Sequence, residues 1–484
     1  MNIQLASKKS KSEFTHNVKW VAIGQTVART AQILITLLFV YLLVPSAWNE
    51  LAVALSLFLV GVTVGSLNLE HSILFFLPRR PQEEWGALLS TTMKMLFITG
   101  GVTGLVMSLS GILLLDANMK VPLLLVGIAV CLEIPTVIVG PTLIALNKSH
   151  KSGQWDLFQA LFQFALVSLP AFVKGTSNSI LLGLIGASAF RLASALFIMY
   201  AIGARMRHKF SLLLVVQQIR FCLPLGVALA AGVLTRSIDK WLVAIFAFQQ
   251  VGMYAVAAIE IPLLAVLPYA GGAAIASDLT AAFMRSDIKG AHHIWLQQLE
   301  KMIIPVIYCT VGIVLVAPEL FEILLPTRYM AVIVPFQIFT FIAVHRVTEY
   351  GLVLRAANRS ELVTQSSLVL LGSNVVLAGL GLMAFGLSGM AMGSLMAFAI
   401  AWVWMLKKLA GIFDIHMREV FAWSRWAVTL LAACTTAVSA VLLTHGLTDT
   451  PLRVVAKLAA LGVGGYVFVK LQGQGVFSKK VLIS

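Results

Sequence analysis

Long apolar stretches alternate with short polar connections from one end of the chain to the other. A helix of about 20 apolar residues crosses the roughly 30 Å hydrocarbon core of a bilayer. Fourteen stretches meet this need: 20–43, 51–77, 86–114, 121–146, 154–173, 179–204, 221–247, 251–277, 302–317, 331–354, 362–385, 388–406, 420–443 and 452–469. The pattern predicts an all-α polytopic membrane protein with about fourteen transmembrane helices. Because the number is even, both termini lie on one side.

Composition supports a membrane protein. Hydrophobic residues make up 59% of the 484 positions, charged residues 11%, and the mean hydropathy is +0.94. A soluble globular domain carries about 25% charged residues. The composition therefore excludes a soluble protein.

The net charge of +15 is also typical of nucleic-acid-binding proteins, but the basic residues are sorted by connection. Alternate connections are basic, among them the amino-terminal tail, the pair Arg79 and Arg80, and the segment 205–209. The opposite connections hold only Lys120, Lys174, Arg328 and Arg453. Basic residues concentrate on the cytoplasmic side of membrane proteins. Both termini are therefore predicted in the cytoplasm, and no nucleic-acid partner is expected.

The connections also divide the spans into groups. We predict two pseudosymmetric six-helix lobes, 1–210 and 211–410, followed by 411–484 with the last two spans and a cytoplasmic tail. The segment 44–53 after the first span resembles the segment 248–256 after the seventh, as a six-span repeat requires. Six is even, so the lobes share one orientation, and a substrate site is expected between them.

Seven charged residues fall near the middle of apolar spans: Arg29, Glu133, Arg191, Arg236, Glu260, Arg346 and Glu349. An ionised side chain at the bilayer centre costs roughly 2.5 to 3.5 kcal/mol, so it is tolerated where it faces a wet cavity or a partner. Four of the seven are arginines, whose planar guanidinium binds phosphate and carboxylate oxygens in pairs. These positions predict a polar interior that receives an anionic substrate.

Arg29 and Arg236 are the first candidates for binding an anion, and Arg191 and Arg346 add charge at similar depth. Asp239 lies three residues after Arg236, on the same helix face, and is expected to restrain it.

Five acidic residues are predicted to control conformation or ion coupling: Asp239, Glu133, Glu260, Glu349 and Glu70. Pro135 and Pro262 follow two of them and are expected to kink their helices. The alternative is that arginines and acids form static ion pairs that only orient helices.

The largest connection, 278–301, mixes apolar and charged residues and predicts an interfacial helix that is interrupted near Gly290. The adjacent His292 and His293 point to different faces, and we predict no metal site. The four cysteines fall in apolar spans without metal-ligand spacing. No cofactor is expected.

Several short motifs resemble those of Wzx-type polysaccharide flippases, members of the multidrug, oligosaccharidyl-lipid and polysaccharide (MOP) exporter superfamily. The middle signature comprises 224–226, 236–243 and 251–256, and supporting motifs occur at 42–45, 77–80 and 324–329. The family usually has glycine where Asn49 stands, so the first copy of the repeat departs from the family pattern.

This resemblance implies two lobes around a cationic cavity that opens alternately to the cytoplasm and the periplasm. It implies a bacterial inner-membrane protein, and a cargo of oligosaccharide repeat units linked to undecaprenyl pyrophosphate. It also implies cooperation with glycosyltransferases and a polysaccharide polymerase in surface polysaccharide synthesis.

Two rival functions stay open. One is a cation-coupled multidrug exporter of the same superfamily, whose cavities use acids and aromatics. The other is a membrane enzyme acting on lipid-linked sugars, which is disfavoured because large loops and catalytic or nucleotide motifs are lacking in the sequence. The energy source, whether proton, sodium or membrane potential, also stays open.

Overall fold

The computed structural model describes residues 30–473 apart from position 32, 115–116 and 205–208. All regular structure in this part of the chain is helical. The chain divides into two compact units, Met1–Gly252 and Met253–Ser484. The predicted domain boundaries at 210 and 410 stay predictions.

The first unit is built from helices that follow one another with short connections. Its helices are α1 (Ile33–Leu42), α2 (Pro45–Gly65), α3 (Leu69–Phe76), α4 (Gln82–Leu114), α5 (Ala117–Glu133), α6 (Val139–Ala145), α7 (Ser149–Val173), α8 (Ser177–Ile202), α9 (Leu212–Ala247) and the start of α10 (Val251–Ala257). Glycines allow α4 and α5 to approach closely, because a Cβ on Gly104 would meet the carbonyl of Gly127. Small residues at contacts are typical of helices packed in membranes.

The second unit contains the rest of α10 and all later helices. These are α11 (Pro262–Met284), α12 (Ile288–Leu324), α13 (Ile333–Ile342), α14 (Tyr350–Ala356), α15 (Ser360–Phe413), α16 (Trp423–Thr444) and α17 (Thr450–Gly473).

Helix α15 is two antiparallel helices joined at a sharp turn. Phe385 and Gly386 leave helical geometry, and Gly386 has a φ of +62°. Cβ atoms on Gly381 and Gly389 would each meet the other's carbonyl, so the two halves touch backbone to backbone. This turn confirms the separate spans predicted at 362–385 and 388–406.

The predicted all-α membrane fold is confirmed. In the described residues twelve helices are long and apolar enough to span a membrane, with α15 counted once. The predicted span 20–43 is represented there by the shorter apolar helix Ile33–Leu42, because its first part lies outside the described residues.

The interruption that was predicted near Gly290 is present a few residues earlier in the chain. The break lies at 285–287, where Ser286 has a φ of +57°, and α12 runs without interruption from Ile288. The carboxylate of Asp287 accepts the backbone N–H of Gly290 at 2.8 Å and caps the new helix. The sequence analysis overlooked Asp287 as a helix start signal.

Candidate functional site: charged residues at helix breaks

Four of the five acids that were predicted to control conformation lie at interruptions of helices, whereas Asp239 lies within α9. Glu70 follows the left-handed residues Leu67 and Asn68, which separate α2 from α3. Glu133 ends α5, and a 3-10 turn, Ile134–Ile138, follows. The other two acids interrupt the second unit: Glu260 in the non-helical stretch between α10 and α11, and Glu349 between a 3-10 turn, Ala343–Thr348, and α14. Interrupted helices expose backbone polar groups inside membranes and mark binding sites in many transporters.

In the first unit, Glu133 and Arg191 form an ion pair between α5 and α8. The second carboxylate oxygen of Glu133 accepts the hydroxyl of Ser188 at 2.8 Å. Arg191 donates its Nη2 to Oε1 of Gln163 on α7 at 2.9 Å. The Glu133 side chain is 9% exposed and that of Arg191 22%. The pair therefore links three helices and leaves part of the arginine side chain exposed.

The break beside Glu133 follows from local sequence. Pro135 has no N–H and cannot continue the α-helical hydrogen-bond ladder. The hydroxyl of Thr136 donates to the carbonyl of Glu133 at 2.8 Å, which adds a side-chain hydrogen bond to the turn. The predicted disruption at this proline is present, in the form of a 3-10 turn.

In the second unit, Glu260 and Arg346 form a corresponding ion pair. Their side chains are 45% and 29% exposed, so this pair is more open than the first. Pro262 follows as an early residue of α11, where its missing N–H costs nothing. Both proline-flanked glutamates therefore bind an arginine from another segment of their own unit.

Glu349 lies three residues after Arg346 in a strained backbone conformation. Its φ is +35°, which is rare for any residue except glycine. A Cβ on Gly272 would lie 2.9 Å from Cγ of Glu349, so this glycine gives the glutamate its space. Strain of this kind is often stored where function requires it.

The remaining predicted site residues are placed individually. Arg236 is exposed on α9 and Asp239, on the same helix, is buried at 7% exposure. The salt bridges of the described residues do not include Arg236. Arg29 lies outside the described residues. Glu70 approaches Nδ1 of His71 at 3.4 Å and the hydroxyl of Ser66 at 3.5 Å.

Sequence reasoning missed one buried ion pair. Lys457 of α17 contacts Glu319 of α12 at 2.6 Å, with side-chain exposures of 8% and 4%. Lys457 is a cation inside the predicted apolar span 452–469, and that signal was available. Glu319 was hidden because the span 302–317 was predicted to end before it, whereas α12 continues to Leu324.

The charged side chains at the helix breaks are suited to binding ions. Within the described ranges no group of three or more His, Cys, Asp and Glu side chains can hold a metal ion. Arg191 and Arg346 each keep N–H groups beyond the one that binds glutamate. A guanidinium can bind a second anion through these groups.

Comparisons with solved structures identify the fold. No protein-family model matches the sequence, and no curated protein resembles it closely enough to count as a relative. The lipid II flippase MurJ in an inward closed conformation superposes with a TM-score of 0.73 at 12% identity, covering 93% of this chain and 98% of that one.

Multidrug transporters of the MATE family share the same architecture. An inward-facing structure gives a TM-score of 0.62 at 11% identity over 81% of this chain and 99% of the transporter. An outward-facing one gives 0.56 at 14% identity over 83% and 97%. The chain is a multi-pass membrane protein with the fold of MOP superfamily flippases and transporters.

Proposed function

We propose that the protein is a flippase that moves undecaprenyl-pyrophosphate-linked oligosaccharide repeat units from the cytoplasmic to the periplasmic leaflet. The cargo's polar head crosses through a cationic cavity by alternating access while its polyprenyl tail stays in lipid. The location is the bacterial inner membrane. Glycosyltransferases and a polysaccharide polymerase would supply and consume the cargo for surface polysaccharide synthesis.

The observation that carries the proposal is the Arg346–Glu260 pair at two helix breaks. An ionised side chain within a span is costly, and it is tolerated where it faces a water-filled cavity or a partner of opposite charge. Arg346 has a partner, yet 29% of its side chain stays exposed. Such an arginine can receive an anion without first being freed from a closed core.

The ion pairs suggest how cargo and conformation are coupled. A pyrophosphate carries the same kind of oxygen acceptors as a carboxylate and binds the same guanidinium fork. When the cargo arrives, its phosphate takes the place of the glutamate on the arginine. The released glutamate no longer ties its helix break to the arginine's segment, and the break can bend. Static pairing and cargo binding are then two states of one site.

The polar environment lowers the main cost of transport. Unsatisfied polar groups in an apolar medium cost several kcal/mol each. Fixed guanidinium groups replace part of the hydration that the pyrophosphate loses. Arg236, which is exposed on α9, provides a further cation that no described salt bridge neutralises. Arg29 has the same proposed role.

A multidrug exporter is the alternative, because MATE transporters share the fold. The acids Glu133 and Glu260 suit cationic drugs, but each is bound to an arginine in this structure. An exporter of cations gains nothing from arginines at the same depth. A non-enzymatic function is consistent with the fold, which is shared by a flippase and by transporters.

The proposal is tested by reconstituting the purified protein in liposomes that carry fluorescent undecaprenyl-pyrophosphate-linked oligosaccharide. A membrane-impermeant reagent that quenches only outer-leaflet cargo measures the rate of exchange. Parallel assays with a cationic dye measure drug transport. Cargo exchange without dye transport supports the flippase, and dye transport without cargo exchange supports the exporter.

A further inference from the structure

A cavity of about 490 Å³ lies at one end of the second unit. Its walls come from the end of α11, the start of α12 and both ends of α15. Apolar side chains provide one part of the surface, namely Phe283, Ile288, Leu362 and Ile412. The connection between α14 and α15 closes another part.

Three cations line the same cavity: Arg359, Lys407 and Lys408. Arg359 pairs through Nε with Glu361 at 2.7 Å, but the described salt bridges include neither lysine. Lys408 lies over the ring of Trp404, with Nζ 5.2 Å from its centroid. The cavity therefore has a net positive side and an apolar side.

The basic residues around the cavity indicate that it lies on the cytoplasmic side of the membrane. The helix ends around it carry many of the basic residues that the positive-inside pattern assigns to the cytoplasm, such as Arg285, Lys289 and Arg355. Anionic lipids give the cytoplasmic leaflet a negative surface potential. Trp404 is typical of the interface between lipid and water.

We propose that this cavity binds the phosphate of an anionic phospholipid headgroup, with the first acyl carbons against the apolar wall. Basic pockets between transmembrane helices on the cytoplasmic side are suited to such headgroups. A free phosphate would use only the cationic side, whereas a lipid uses both. The site lies apart from the ion pairs at the helix breaks and does not depend on the proposed transport function.

The test compares two triple variants of the full chain in detergent micelles. One removes the cavity cations: Arg359→Gln, Lys407→Gln and Lys408→Gln. The matched control removes three exposed cations that do not line the cavity: Lys148→Gln, Lys151→Gln and Arg418→Gln. Native mass spectrometry measures the binding of phosphatidylglycerol and of phosphatidylethanolamine, and competition by inorganic phosphate.

Wild type and control are expected to bind phosphatidylglycerol in preference to phosphatidylethanolamine. The cavity variant is expected to bind it about a hundredfold more weakly, and Lys407→Gln alone about fivefold. The single variant decides the matter if the triple does not fold. Equal loss in the control, equal binding of both lipids, or displacement by inorganic phosphate at the lipid's own concentration would overturn the proposal.

Discussion

Arg191 and Glu133 lie 58 positions apart in the sequence and form an ion pair that joins α8 to the broken end of α5. The carboxylate is nearly buried, and Ser188 satisfies its other oxygen. Removal of the arginine leaves this charge without its counterion.

We expect Arg191→Ala to lower the free energy of unfolding by about 3 kcal/mol, the lower end of the cost of breaking a buried ion pair. Thermal unfolding in detergent measures it. The double variant Arg191→Ala with Glu133→Gln should recover most of the stability because no buried charge remains. In our account the double variant still fails to transport. Normal transport by it would mean that the pair only orients helices.

Arg346→Ala should behave differently, because its pair with Glu260 is more exposed. Partly exposed ion pairs contribute about 1 kcal/mol or less. The variant should therefore keep its melting temperature to within a few degrees while cargo exchange is abolished. Arg346→Lys should rescue exchange only in part, since lysine lacks the bidentate fork. Full rescue would show that charge alone matters.

Gly252 is enclosed by two residues of the first repeat segment. The backbone N–H of Gly252 donates to Oδ1 of Asn49 at 2.8 Å. The indole N–H of Trp48 donates to the carbonyl of Gly252 at 2.8 Å. A Cβ on Gly252 would collide with the Trp48 ring.

We expect Gly252→Ala to cost about 1 to 3 kcal/mol through overpacking, as measured by thermal unfolding. Gly232→Ala is the control, because a Cβ there meets nothing within 4 Å. The control should gain up to about 1 kcal/mol from helix propensity. Equal melting temperatures for both variants would contradict the packing argument.

Lys457→Met should destabilise the contact between α17 and α12. It leaves the buried Glu319 with only Arg453, whose Nη1 lies 3.8 Å from Oε1. We therefore expect a loss of about 3 kcal/mol, the lower end of the cost of breaking a buried ion pair. Adding Glu319→Gln should restore most of the stability, and the exposed Lys470→Met on the same helix should have little effect. Limited proteolysis and thermal unfolding measure these changes. A stable Lys457→Met variant would show that the pair is not structural.

Much of this fold follows from one-dimensional patterns. The turn at Phe385–Gly386 lies where the predicted spans 362–385 and 388–406 meet, since the apolar run there is too long for one span. The interruption after Glu133 follows from Pro135. These features depend on residues adjacent in sequence, which is why pattern reasoning reaches them.

Such patterns do not predict which side chains pair with each other. Arg191 and Glu133 were both singled out, yet nothing in the sequence says that α8 places one beside the other. Glu319 was overlooked because the predicted span 302–317 stops before it, whereas α12 continues to Leu324. The positions of charges within spans were predictable, and their partners were set by helix packing.

The most direct test of the account measures exchange of fluorescent undecaprenyl-pyrophosphate-linked oligosaccharide in liposomes by three single variants. Arg346→Ala and Arg236→Ala remove membrane cations, and Arg80→Ala removes the arginine of a surface pair with Glu84. We predict that both membrane variants fold and lose exchange, while Arg80→Ala exchanges cargo as the wild type does. Wild-type exchange rates in both membrane variants would contradict the claim that these arginines receive the diphosphate.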